Sequence, residues 1–170
     1  MQIIFIILAT INLLAFGATL ILGFIGTEYL WLFKYHVRVG LLTALFTCVV
    51  HSIIFTHFIG SGLSVKEAVL ANNLGLDYIQ RTRLFKSKVF PLALFSILLT
   101  IAVVAMGSAA HTALISGWIH TVFAILAVAL NAITFFIEHR YVKENTKLLN
   151  RVKVELMERT PSDLSSESPN

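Results

Sequence analysis

Apolar residues fall along this chain in four long stretches, separated by polar connections of unequal length. The stretches cover residues 3–26, 35–59, 89–110 and 118–137. About 20 mostly apolar residues, each rising about 1.5 Å, are enough to cross the hydrocarbon of a bilayer. Hydrocarbon offers no water to the backbone, so each stretch is expected to be helical. Pro91 is expected in the first turn of the third helix, where its missing N–H costs least. The connections 27–34 and 111–117 are short and impose antiparallel neighbours. The pattern therefore predicts an all-α, integral membrane four-helix bundle made of two parallel helical hairpins, occupying residues 1–139.

The middle connection, 60–88, is longer and polar. Ser64, Val65, Lys66 and Glu67 fit a capping box, with Ser64 as N-cap and Glu67 three positions on. Val65, Val69 and Leu70 give such a helix an apolar side, and Asn73-Leu74-Gly75 reads as its stop. A short amphipathic helix lying in the interface is expected between the hairpins. After Glu138 a basic tail, 140–170, continues as helix with Tyr141, Leu148, Leu149 and Val152 among charges. From about residue 160 it turns to Ser, Pro and acidic residues and is expected to be disordered.

Composition agrees. Of 170 residues, 57% are hydrophobic and 13% charged, with a mean hydropathy of +0.84; a soluble domain is about 45–50% apolar and about 25% charged. The net charge of +4 need not mean nucleic acid, because the basic residues sit in two blocks beside apolar stretches. Lys66, Arg81, Arg83, Lys86 and Lys88 lie in the middle connection, and Arg140, Lys143, Lys147, Arg151, Lys153 and Arg159 in the tail. Only Lys34 and Arg38 flank the other side. Basic residues favour the cytoplasmic side, which puts both termini and the middle connection there, in a cell (inner) membrane. Tyr29, Trp31 and Trp118 then anchor the opposite interface. The first stretch has no basic start and exceeds a signal-peptide core of about 7–15 residues, so it is read as a retained helix. Neither end carries a lipidation motif. The single cysteine, Cys48, permits no intrachain disulfide.

The polar and small residues within the stretches are ordered. The second helix carries His36, Gly40, Thr43, Thr47 and His51, and the fourth His120, Ala124, Ala127, Asn131, Thr134 and Glu138, at spacings of three and four. Ser96, Thr100 and Gly107 share a side of the third, and Asn12, Thr19, Gly23 and Gly26 nearly share one of the first. Such residues lie on one helix face, so each helix is expected to turn a small, polar stripe inward. Close helix packing alone explains the glycines, alanines and threonines. It explains His36, His51, His120 and Glu138 less well, since ionisable groups at membrane depth are costly and mark function. A shift of 84 positions pairs Gly23 with Gly107, His36 with His120, Leu14 with Leu98 and Ala18 with Ala102, which raises the possibility of a duplicated hairpin.

By helical rise, His51 lies about 22 Å beyond His36, and Glu138 about 27 Å beyond His120. Two clusters are expected: His36 with His120 at one end, and Asn12, His51, Ser96, Asn131 and Glu138 deeper in. Two histidines at equal depth on separate helices suit the axial ligands of a b-type haem, held in a bundle core. Gly40 and Ala124, four residues after each, would leave room for the ring. The inner cluster would bind a quinone or carry protons. A second bis-histidine haem is not expected, because Phe135 stands opposite His51. A metal held by His51, His57, Glu138 and His139 is a weaker alternative, as these residues do not share faces. His111 is expected to be solvated.

The chain has no Gly-x-Ser-x-Gly, His-Glu-x-x-His, Cys-x-x-Cys-His, phosphate loop or dinucleotide turn. It is similar in architecture to small four-helix membrane proteins, cytochrome b anchors among them, but function does not follow from fold. The first functional expectation is a redox membrane subunit holding haem b or meeting a quinone, not an enzyme on its own. The alternatives are a non-catalytic accessory or assembly protein, and a small oligomeric transporter or channel. Expected partners are the lipid bilayer and other membrane subunits.

Overall fold

The computed structural model describes residues 1–26 and 28–166, with Leu30 and residues 160–166 described in backbone only. Four helices make up the chain: α1 (Gln2–Gly26), α2 (Leu30–Ala71), α3 (Asp77–His111) and α4 (Gly117–Ser166). All four are long and apolar enough to cross a membrane. The predicted bundle of two hairpins is present: α1 packs along α2, α3 packs along α4, and the hairpins join through α2–α3 and α1–α4.

The helices run further than the sequence suggested. At 42, 35 and 50 residues, α2, α3 and α4 extend far past the length needed to cross about 30 Å of hydrocarbon. Their extensions pack together beyond the start of α1 as a three-helix stalk. Val65, Val69, Leu74, Phe85, Val142, Leu148 and Val152 belong to one buried core. This corrects the expected interfacial helix. Ser64 is not an N-cap: it lies inside α2 and its hydroxyl donates to the carbonyl of Gly60. Of the apolar side that sequence assigned to the interface, Val65 and Val69 face the stalk core, while Leu70 is exposed. Pro91 is likewise the fifteenth residue of α3, not in its first turn, because the helix starts at Asp77. The expected stop is found. Asn73 takes a left-handed conformation (φ 51°), and the N–H of Leu74 returns to the carbonyl of Val69 at 3.0 Å, a closure that satisfies the last carbonyls of a helix. The tip is tied down by Arg159, which donates to the carbonyl of Asn72, and by Tyr78, whose hydroxyl donates to Glu155 at 2.7 Å. The expected disordered end falls on residues whose side chains are not described, and 167–170 lie outside the described residues.

The shift of 84 positions organises the packing. On α1 the buried positions Phe5, Ala9, Asn12 and Phe16 match Val89, Ala93, Ser96 and Thr100 on α3. On α2, Thr43, Thr47, Val50, His51, Ile54 and Phe58 match Ala127, Asn131, Thr134, Phe135, Glu138 and Val142 on α4, all buried. Three pairs of residues 84 positions apart touch across the bundle: the rings of His36 and His120 (centroids 6.3 Å apart), those of His51 and Phe135 (5.0 Å), and the side chains of Ser61 and Asn145 (2.9 Å). A residue can meet its own mate only on a two-fold axis. An approximate two-fold axis therefore runs along the bundle between α2 and α4.

Burial along that axis is uneven. The middle of the bundle is closed. Toward the His36 end, beyond Phe16, Thr43, Thr100 and Ala127, Gly26 alone is fully buried among the described residues.

Candidate functional site

The polar seam predicted from spacing lies inside the bundle. Asn12, Thr43, Thr47, His51, Ser96, Thr100, Asn131, Thr134 and Glu138 are all buried. Within the first hairpin, Thr47 donates to Asn12 Oδ1 at 3.1 Å, Thr19 and Thr43 share a hydroxyl hydrogen bond at 3.2 Å, and Asn12 Nδ2 donates to the Thr43 carbonyl at 3.5 Å. Within the second, Ser96 and Thr134 share one at 2.8 Å, and Asn131 donates to Thr100 Oγ1 at 3.1 Å. These bonds satisfy the polar groups between paired helices, as packing in hydrocarbon requires.

The bonds between the hairpins involve ionisable groups. His51 Nδ1 lies 2.8 Å from Glu138 Oε1, both side chains having no exposed surface. Its Nε2 lies 3.1 Å from Asn131 Oδ1. The inner cluster thus resolves into a His51–Glu138–Asn131 centre, with Asn12 and Ser96 bonded to threonines at its sides. Helical rise alone sets Glu138 one turn past His51. The two meet because side chains on a helix lean toward its N-terminus, which carries the carboxyl of Glu138 back up α4. The centre also marks a break in the two-fold pattern: the mate of His51 is Phe135, and that of Glu138 is the buried Ile54.

One turn and more beyond Glu138, the seam continues into the stalk. Asn145 is fully buried, and its amide donates to Ser61 Oγ at 2.9 Å and lies 3.3 Å from His57 Nε2. Sequence reading missed Asn145, which sits among charged residues, and Ser61, which sits between two glycines; their signal was the 84-residue register. His57 and His139 do not join Glu138. The first bonds to Asn145, and the second stacks on Phe5 with centroids 6.5 Å apart. Among the described residues, no group of three or more His, Cys, Asp or Glu side chains is placed to hold a metal ion.

At the other end His36 and His120 meet on the axis with their ring planes 80° apart. His36 Nδ1 lies 2.9 Å from the carbonyl of Thr19, so Nδ1 carries the proton and Nε2 keeps its lone pair. His120 lacks the matching bond: its Nδ1 is buried and has no partner within hydrogen-bonding distance. Each ring rests on a glycine of its own hairpin. A Cβ at Gly23 would come within 3.0 Å of His36 Cε1, and one at Gly107 within 3.1 Å of His120 Cε1. These glycines seat the histidines. The space at Gly40 is taken by the Thr19 methyl, 3.3 Å from where its Cβ would be, and Ala124 is half-buried. His111 is exposed, as expected, with its ring stacked on Phe33 at 4.9 Å.

Comparison of the chain with family models, with characterised proteins and with solved structures finds no match.

Proposed function

We propose that this protein is a small redox membrane subunit in which His36 and His120 provide the two axial ligands of a b-type haem. One observation carries this reading: two histidines related by the two-fold axis meet face to edge, each seated on a glycine. They do so at the end of the bundle where, beyond Thr43 and Ala127, Gly26 alone is buried among the described residues. A ligating histidine characteristically gives its second ring nitrogen to a carbonyl, which fixes the tautomer and leaves the other nitrogen as ligand; His36 has this arrangement with Thr19. Bound there, a haem would supply one-electron chemistry, with a membrane quinone or a neighbouring subunit as the electron partner. The residues of this chain hold and orient the imidazoles. The basic residues of the stalk favour the cytoplasmic side of a cell membrane, an orientation with both termini inside and the histidine pair near the outer surface.

An absorbance spectrum tests the proposal. Protein purified after expression with haem supplied should show a Soret band, and His36→Ala or His120→Ala should remove it. A colourless wild-type protein overturns it. That result would favour a non-catalytic accessory subunit, for which the projecting basic stalk is the supporting feature.

A further inference from the structure

Buried ionisable groups in a membrane bundle call for a use beyond packing, and the haem reading leaves the His51–Glu138 centre without one. We infer that this centre is a proton-binding site, taking up and releasing a proton at Glu138 Oε2.

Proton positions follow from the hydrogen-bond partners. Both N–H groups of the Asn131 amide are engaged, by the Ala127 carbonyl at 2.8 Å and Thr100 Oγ1 at 3.1 Å. Its Oδ1 is therefore the atom that faces His51, and as an acceptor it requires a hydrogen on His51 Nε2. With Nε2 protonated, the bond between His51 Nδ1 and Glu138 Oε1 contains a single proton, shared between a base and a carboxyl. The pair is neutral overall wherever that proton rests. The remaining atom, Glu138 Oε2, is buried and has no hydrogen-bond partner. A buried polar atom left without a partner is costly, so this acceptor is retained against a penalty.

Uptake is then balanced in atoms and charge. An incoming proton, delivered by water, forms a bond to Oε2. The proton in the hydrogen bond settles on Nδ1 as its bond to Oε1 breaks. The result is an imidazolium beside a neutral carboxylic acid, one positive charge more than before. Release reverses both steps.

Among the described residues, the ionisable groups nearest this centre have other surroundings. The α1 helix has no ionisable side chain, and α3 has none between Val89 and Ala110. On α2 they are Cys48, which lines a surface groove with Met1, and His57, which lines the same groove and bonds to Asn145. On α4 they are His139, stacked on Phe5, the exposed Arg140, and Tyr141, whose ring packs on Phe85 at 5.7 Å. From α3, Lys86 and Lys88 lie past Val89, in the stalk. Glu138 thus sits at the boundary between an uncharged interior and a charged stalk, and proton exchange is directed to the stalk end. The departure from symmetry supports this reading. At the mates, Phe135 and Ile54, the same fold fills the same layer with apolar residues, so packing does not require the pair.

The inference is independent of the haem reading, and its test uses protein without haem. Infrared difference spectra of the protein in nanodiscs, between alkaline and acid buffer, should show a carboxylic acid band from a buried site, and Glu138→Gln should abolish it. Nitrogen NMR of the unmodified protein, labelled at histidine, decides the matter even if that variant fails to fold. His51 should keep its Nε2 proton throughout, while Nδ1 changes protonation with pH. Finding no change at either Glu138 or His51 over the pH range in which the protein stays folded overturns the proposal, as does a buried band that persists in Glu138→Gln.

Discussion

Ser61 and Asn145, 84 positions apart in sequence, bond side chain to side chain at 2.9 Å. They continue the axis marked by His36 with His120 and by His51 with Phe135 out of the apolar bundle and into the stalk. The two-fold relation is therefore not confined to the membrane-crossing part. Asn145 links two groups, since its amide also lies against His57. Asn145→Ala should leave Ser61 and His57 without that partner and lower stability by about 1–3 kcal/mol. Ser61→Ala should cost less, and the double variant less than the two single losses added together, because both remove one bond. Unfolding in mixed detergent micelles measures all three.

The four membrane-crossing stretches are legible in the sequence because their apolar runs are long and uninterrupted. The inward stripe is legible because His51, Asn131 and Glu138 keep helical spacing. The continuation of α2 is not. Ser64 followed by Glu67 suits a helix start, but the same residues are compatible with a helix interior, and the packing of Val65 and Val69 in the stalk core decides. Asn145 is hidden for a related reason: between Glu144 and Lys147 a polar residue reads as solvated, and only the third dimension buries it. The direct bond from His51 to Glu138 escapes a depth estimate from helical rise, which leaves out the tilt of the side chain along the helix.

The seats of the histidines offer a test of symmetry. A methyl group at Gly23 or Gly107 would press on an imidazole at 3.0 or 3.1 Å, closer than ordinary contact, so the ring must move. Gly23→Ala and Gly107→Ala should each destabilise the protein by about 1–3 kcal/mol and displace the Soret band of haem-loaded protein. Gly17→Ala is the control. Nothing lies within 4 Å of a Cβ there, and replacing a mid-helix glycine should stabilise by about 0.5–1 kcal/mol. Equal losses at Gly23 and Gly107 with none at Gly17 would match the paired seats; a loss at Gly17 as large as theirs would contradict them.

The asymmetric layer can be made symmetric. His51→Phe, Glu138→Ile and Asn131→Thr install at each position the residue that its mate already carries. Removing one partner of a buried ion pair costs about 3–5 kcal/mol, because the other is left unpaired, whereas replacing the whole pair by apolar residues is neutral or stabilising by about 1–4 kcal/mol. Glu138→Ile alone should therefore be severely destabilised, and the triple variant should recover to wild-type stability or better. The recovered protein should show no pH-dependent carboxylic acid band from a buried site, while keeping the His36–His120 contact and its spectrum. A triple variant as unstable as Glu138→Ile would mean that the centre is needed to hold the two hairpins together. Recovery of stability with loss of the titration would separate the two roles, leaving the fold to the shared register and proton binding to the residues that depart from it.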